Sequence, residues 1–249
     1  MTPRINQEQD QEQNQWWLVE EMTAKMNVGD SDKPSQVGDS ETIRQQAEAV
    51  RRPYLDRLLA AVGERYSSAT FDNYEIKHGT DQRLVVDRLL RYADELPARV
   101  SAGQSIVLFG STGAGKDHLL VAMARVSIMR FGRNVVWRNG SSLNREFRVA
   151  MRSGGEDSLV AALVAPSVLY LSDPGGLSGE RLTEFSAASL FAVIDGRYRA
   201  GRSTWVSVNV CTPRDAETKL TPPIADRLRD GSLQLWCDWP SWRQRDETA

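Results

Sequence analysis

Cysteine, histidine and lysine are all scarce in this 249-residue chain. Its two cysteines, Cys211 and Cys237, stand 26 positions apart and fit no zinc-binding spacing. With no metal cluster and no secretory signal in the sequence, a reducing, cytoplasmic setting is expected. The two histidines, His78 and His118, have no partner that would complete a triad or a metal site. Long apolar runs are missing as well. The longest, "LVAALVAPSVLYL" at 159–171, contains Pro166 and falls short of the roughly 20 residues a membrane span requires. A large charge imbalance is also absent, since the formal net charge is −2. That argues against a wholesale polyanion binder. The charge is unevenly placed, however: residues 1–50 carry ten acidic and four basic side chains, net −6, which leaves +4 for the remainder. An acidic head on a mildly basic body suits a protein partner at one end and nucleotide or nucleic acid at the other.

Residues 1–15 are rich in Gln, Asn and Glu and cannot bury enough apolar surface to offset their ordering entropy. "WWLVEEMTAKM", 16–26, places Leu18, Met22 and Met26 on one helical face, which must dock on this protein or on another. Residues 27–40 read as a linker. The expected division is therefore a partner-binding head and linker at 1–40, a helical connector at 41–63 split or kinked at Pro53, and a domain at 64–249. After a helix over 81–99, strands and helices alternate. Strands are expected at 105–110, 134–138, 167–172, 203–210 and 232–236. Helices are expected at 115–132, 141–152 with a serine cap, 158–165, 181–200 and 223–231. That pattern implies an α/β fold with a parallel sheet covered on both faces.

Between the first strand and its helix lies "GSTGAGKDHLL". Gly110, Gly113 and Gly115 let backbone N–H groups turn inward around phosphates, and the following helix adds its positive end. The stretch Gly110, Ser111, Thr112, Gly113, Ala114, Gly115 and Lys116 has the spacing of a P-loop, continued by Asp117 and His118. The pattern asks for a hydroxyl after the lysine, to ligate Mg2+, and this chain has Asp117 there. The acid that shares the metal should end a second strand. In "VLYLSDPGG" the position is Ser172, followed by Asp173. Hydroxyl and carboxylate have exchanged places, leaving the local charge unaltered. An uncompensated carboxylate about 4 Å from a phosphate would cost up to about 4 kcal/mol at an effective dielectric of 20. In one reading Asp117 and Ser172 hold the metal while Asp173 orients the attacking water. In the other Asp173 is the metal carboxylate and no base exists. Asn209 ends a third strand, where it can sense a terminal phosphate. Arg227 lies near a helix end and Arg243 beyond the last strand.

"FDNY" (71–74), the loop, "VLYLSDPGG", "DGRYRAGRSTWVSVN" (195–209), "ADRL" (225–228) and "WPSWR" (239–243) occur in an order that resembles the DnaC/IstB family of AAA+ ATPases, which load replicative helicases or assist transposases. The resemblance spans roughly 64–245. It implies a P-loop NTPase with an AAA+ core, ATP and Mg2+ as ligands, and a five-stranded parallel sheet of order 5-1-4-3-2. It also implies Asn209 as first sensor, Arg227 as the arginine supplied to a neighbouring subunit, and Arg243 as second sensor. Asp117 and Ser172 depart from the family pattern, which bears on hydrolysis more than on fold. The stretch after the last strand is too short for a helical lid, so no C-terminal lid domain is expected, and an ATP-dependent homo-oligomer is expected to cover the open flank. Arg145, Arg148 and Arg152 share one helical face and Arg138 precedes them, an edge suited to single-stranded DNA or simply to solvent. By analogy, the acidic head would hook onto a replicative helicase, and no membrane partner is expected.

Overall fold

The computed structural model describes residues 37–175 and 182–243, so the acidic head and its Trp-Met stripe lie outside the described residues. In chain order the elements are α1 (Val37–Val62), a 3-10 turn (Glu64–Tyr66), α2 (Gly79–Asp94), α3 (Leu96–Ser101), β1 (Ile106–Gly110), α4 (Lys116–Phe131), β2 (Val135–Asn139), α5 (Gly140–Ser153), α6 (Glu156–Val164), β3 (Val168–Ser172), α7 (Glu184–Arg199), β4 (Ser203–Asn209), α8 (Pro213–Leu220), α9 (Pro222–Arg229) and β5 (Leu233–Cys237). All strand pairings are parallel, and the strand order is β2-β3-β4-β1-β5, the expected one.

Alternation along the strands splits the core into two layers. Ile106, Leu108, Tyr170 and Trp205 face α1, α2 and α4. Val107, Phe109, Leu169, Leu171, Val206 and Val208 face the residues of α5, α7 and α9. Register brings the strand ends level: Gly110 lies opposite Asn209, Ser207 opposite Ser172, and Ser172 opposite Asn139. Polar residues that close three different strands are thereby gathered along one edge of the sheet.

Several local expectations are corrected. Pro53 lies within α1 without dividing it. The helix expected over 81–99 is two helices, with Pro97 in the first turn of the second, where its missing N–H costs nothing. The cap of α5 is Asn139 rather than a serine: its carboxamide oxygen accepts from Ser142 N at 2.7 Å. Helix α8 was not foreseen. It starts in "TPRD", where Thr212 caps the helix by accepting from Asp215 N and Pro213 occupies the first turn.

Arg197, within "DGRYRAGRSTWVSVN", has a structural explanation. Arg197 is fully buried and donates to the carbonyls of Leu163, Val164, Pro166, Ser167 and Ser203 and to Thr204 Oγ1. It fastens α7 to the end of α6 and to the starts of β3 and β4. Burial pulls its guanidinium down to about 9, still charged near neutrality. Arg197→Met keeps the bulk and removes the donors. It should lower unfolding stability by about 3 kcal/mol, read from the urea midpoint. A loss below about 0.5 kcal/mol would show that these bonds contribute no net stability.

Candidate functional site

The glycine loop leaves β1 and enters α4, and it is packed tightly from outside. Gly110 has φ 142, and a Cβ there would meet Cys237 O at 2.2 Å. Gly113 has φ 89, and a Cβ would meet Ser241 Oγ at 1.9 Å. These positions accept only glycine, by conformation and by space. The chain after β5 straps the loop down. Trp239 Nε1 donates to Ala114 O at 2.8 Å, Trp242 N donates to Gly113 O at 3.0 Å, and Ser111 Oγ donates to Trp239 O at 3.2 Å. Lys77 lies over the Trp242 ring at 3.7 Å. The "WPSWR" segment is thus a wall of the site, a role its sequence did not announce.

Beside the loop lies a cavity of about 350 Å³, bounded by residues 112–118 and by Tyr66, Tyr74, His78, Asn209, Trp239 and Arg243. Its size and mixed lining are those of a small-molecule pocket. Tyr74 packs edge-on against His118, whose Nε2 is 2.8 Å from Thr70 O. His118 therefore braces the "FDNY" loop against α4. Gln82, which sequence reasoning passed over, is buried and fully used. Its carbonyl oxygen accepts from Lys77 N and His78 N, and its amide donates to Tyr74 OH and Glu75 O.

Lys116 is buried and curls over its own loop, donating to Gly110 O at 2.8 Å and Ser111 O at 2.7 Å. Burial, and then the nearby charge of Lys219, pull the ammonium below its ordinary value, opposed by Cys237, Asp117 and Asp173. Burial pushes the Cys237 thiol up to about 12, with Lys116 acting the other way. Two backbone carbonyls are modest partners for a buried cation, so an anionic phosphate has a free-energy gradient toward this place.

Asp117 is the hub of the site. Its Oδ1 accepts from Tyr170 OH at 2.7 Å and from Ser207 Oγ at 2.6 Å. Ser172 Oγ lies 3.1 Å from both carboxylate oxygens. The two residues that exchanged chemistry are therefore in contact. Tyr170 is held well above its ordinary range by burial and then by Asp117, so it remains a hydroxyl donor. Tyr170 and Ser207 were not foreseen. Each sits at the alternating position that faces α4, and that periodicity was the available signal.

Whether these residues fit Mg2+ follows from the donors. Among the described residues no group of three or more His, Cys, Asp or Glu is placed to hold a metal alone. Mg2+ at nucleotide sites takes one or two protein oxygens plus phosphate oxygens, so a smaller set suffices. Asp117 Oδ1 is committed to two buried hydroxyls, whereas Oδ2 holds only Ser172. Oδ2 and Ser172 Oγ are an oxygen pair that fits.

Asp173 stands apart from them. Its backbone has φ 45, unusual for a non-glycine residue. Its Oδ2 accepts from Asn209 Nδ2 at 2.8 Å, and its Oδ1 from Asn209 N at 3.3 Å and Lys219 Nζ at 2.8 Å. Asp173 and Asn209 are thus joined as neighbours at the strand ends. Arg243 reaches the cavity, with its guanidinium 3.4 Å from Tyr66 OH. Arg227 does not line this cavity. Its Nε donates to Asp195 at 2.5 Å and its guanidinium covers the Phe191 ring. On α5, Arg145, Arg148 and Arg152 are exposed, as are Val149 and Met151. Arg138 instead pairs with Glu146 at 3.0 Å.

A parallel sheet with a glycine loop wrapped round a lysine at a helix start defines a P-loop nucleotide-binding protein. Residues 19–247 match the profile of the IstB-like ATP binding proteins, and the chain belongs to that family. Among solved structures it is similar to the DnaC helicase loader, at 22% identity over 70% of this chain and 99% of that one, with TM-score 0.63. It is similar to DnaI at 18% identity over 69% and 92%, TM-score 0.54. AMPPCP-bound DnaA from Aquifex aeolicus matches at 18% identity over 68% of this chain and 50% of that one, TM-score 0.54. At these identities the structural likeness is one of AAA+ fold. No curated protein matched the sequence.

If acid and alcohol act as an exchanged pair, reversing the exchange at both positions should cost less than breaking it at one. Asp117→Thr and Ser172→Asp should each lower single-turnover ATP cleavage by at least about tenfold, and the double variant by less than either. Independent, additive losses would reject the pairing.

Proposed function

We propose that this protein is an ATP-switched loader of the DnaC type, which captures a replicative helicase and single-stranded DNA when ATP is bound. The observation that carries the reading is the phosphate loop itself, with Lys116 buried over it and Asp117 in contact with Ser172. In this reading the loop amides from 110 to 118 and Lys116 bind the phosphates. Asp117 Oδ2 and Ser172 hold Mg2+, which when bound neutralises phosphate charge. Hydrolysis adds water to the terminal phosphorus: the new P–O bond forms, the bond to the bridging oxygen breaks, and ADP leaves. Asp173 orients that water and takes its proton, and Asn209 and Arg243 sense the phosphate. Arg227 serves a neighbouring copy after leaving Asp195. The exposed arginines of α5 follow a DNA backbone, with Arg138 behind them. Residues 1–40 bind the partner protein, 41–63 connect, and 64–249 form the ATP-binding domain. Residues 51–62 already pack onto that domain: Tyr54, Leu55 and Leu58 join its core, and Arg51 donates to Met129 O at the end of α4.

A transposition helper would use the same core, and the family match favours it equally on fold. The two differ in whether the captured protein is a helicase or a transposase. A third reading, a nucleotide-binding adaptor that does not hydrolyse ATP, is favoured by one observation: both oxygens of Asp173 are engaged by Asn209 and Lys219.

Trp239 and Trp242 on the strap make ATP binding readable by intrinsic fluorescence. The wild-type protein should bind ATP with Mg2+, and Lys116→Ala should weaken binding by at least about tenfold. Co-sedimentation with a replicative helicase should require ATP and residues 1–40. No affinity for ATP, or none lost in Lys116→Ala, would overturn the reading.

A further inference from the structure

Lys219 is a buried lysine at the nucleotide site that belongs to none of the motifs above. It comes from α8, and its side chain is only 6% exposed. Its Nζ donates to Asp173 Oδ1 at 2.8 Å and to Asn209 O at 3.2 Å. Together with Asn209 it occupies both carboxylate oxygens, and Asp173 N is fixed by Ser207 O at 2.9 Å. A carboxylate so held has its lone pairs turned toward fixed donors. Water that needs to hand over a proton must compete with an ammonium for the same oxygen.

The stem of the lysine passes close to the backbone: a Cβ on Gly175 would lie 2.6 Å from Lys219 Cγ and 2.8 Å from its Cε, so a side chain there would push the stem aside. Its helix is not isolated either. Glu217, also on α8, pairs with Arg229 of α9 at 2.6 Å. The two helices meet at Thr221, whose φ is 71, an uncommon value for a β-branched residue. The helix that restrains the acid is thus fastened to the helix that carries Arg227.

We propose that Lys219 is a positioning residue that restrains Asp173 in the resting protein, so that ATP cleavage waits until α8 draws the lysine away. This rests on the reading of Asp173 as the group that receives the proton from water. The restraint separates the two uses of the site: nucleotide is bound by the loop and Lys116, while the hydrogen bonds of Lys219 go to Asp173 and Asn209 and hold turnover back.

The test uses the full chain, with ATP affinity and single-turnover cleavage measured separately. Lys219→Met removes the ammonium. Gly175→Ala keeps it and displaces the stem, so it remains informative if loss of the buried pair unfolds the first variant. Both should raise the cleavage rate by at least about fivefold while ATP affinity stays within about twofold. Unchanged or slower cleavage in Gly175→Ala, with affinity retained, overturns the proposal and leaves the ATP-binding reading standing. Absence of ATP binding in the wild-type protein removes that reading, and the restraint with it.

Discussion

The arrangement of this site depends on where one carboxylate goes. A carboxylate facing phosphate across a glycine loop would repel it, so Asp117 has to be held by donors from behind. The fold achieves this by register: Tyr170, Ser172 and Ser207 reach Asp117 from β3 and β4, and all three donate to it. Hydrogen bonds to the charged form hold a carboxylate without a second ion. The same bonds tie the first turn of α4 to two central strands. They fix one oxygen and leave the other with a single partner, the serine that stands in the usual acid's place.

A second constraint acts from the opposite side of the loop. The strap from Cys237 to Trp242 lies so close that Gly110 and Gly113 have no room for a side chain, and its tryptophans hold loop carbonyls outward. Carbonyls bound outside leave amides free to face inward, which is the polarity an anion needs. The loop is thereby organised before any ligand arrives, and the strap and the three hydroxyls brace it from two directions.

Much of this was legible in the sequence because it depends on period and spacing. The strand-helix alternation and the resemblance together gave the sheet and its order. The loop spacing located the glycine loop between β1 and α4, and Asp117 and Ser172 were visible as two departures from the pattern, which the structure brings into contact. What escaped had other causes. Tyr170 and Ser207 lie within apolar strands, where a hydroxyl reads as tolerated core. Helix α8 is eight residues long and lies between the expected strand at 203–210 and the expected helix at 223–231, although Thr212-Pro213 with Asp215 is a start signal. Lys219 went unseen with it, because only tertiary packing brings it to Asp173, 46 positions earlier. Arg197 lies in a stretch that carried the resemblance, yet its work is to collect carbonyls in the core.

The claim on which these relations converge is that acid and alcohol form one ligand pair across α4 and β3. The most direct measurement is a crystal structure with ATP and Mg2+ bound. The account predicts that the ion's protein ligands are Asp117 Oδ2 and Ser172 Oγ, with Tyr170 and Ser207 still on Asp117 Oδ1. An ion ligated by Asp173, with Asp117 still enclosed by its three hydroxyls, would contradict it.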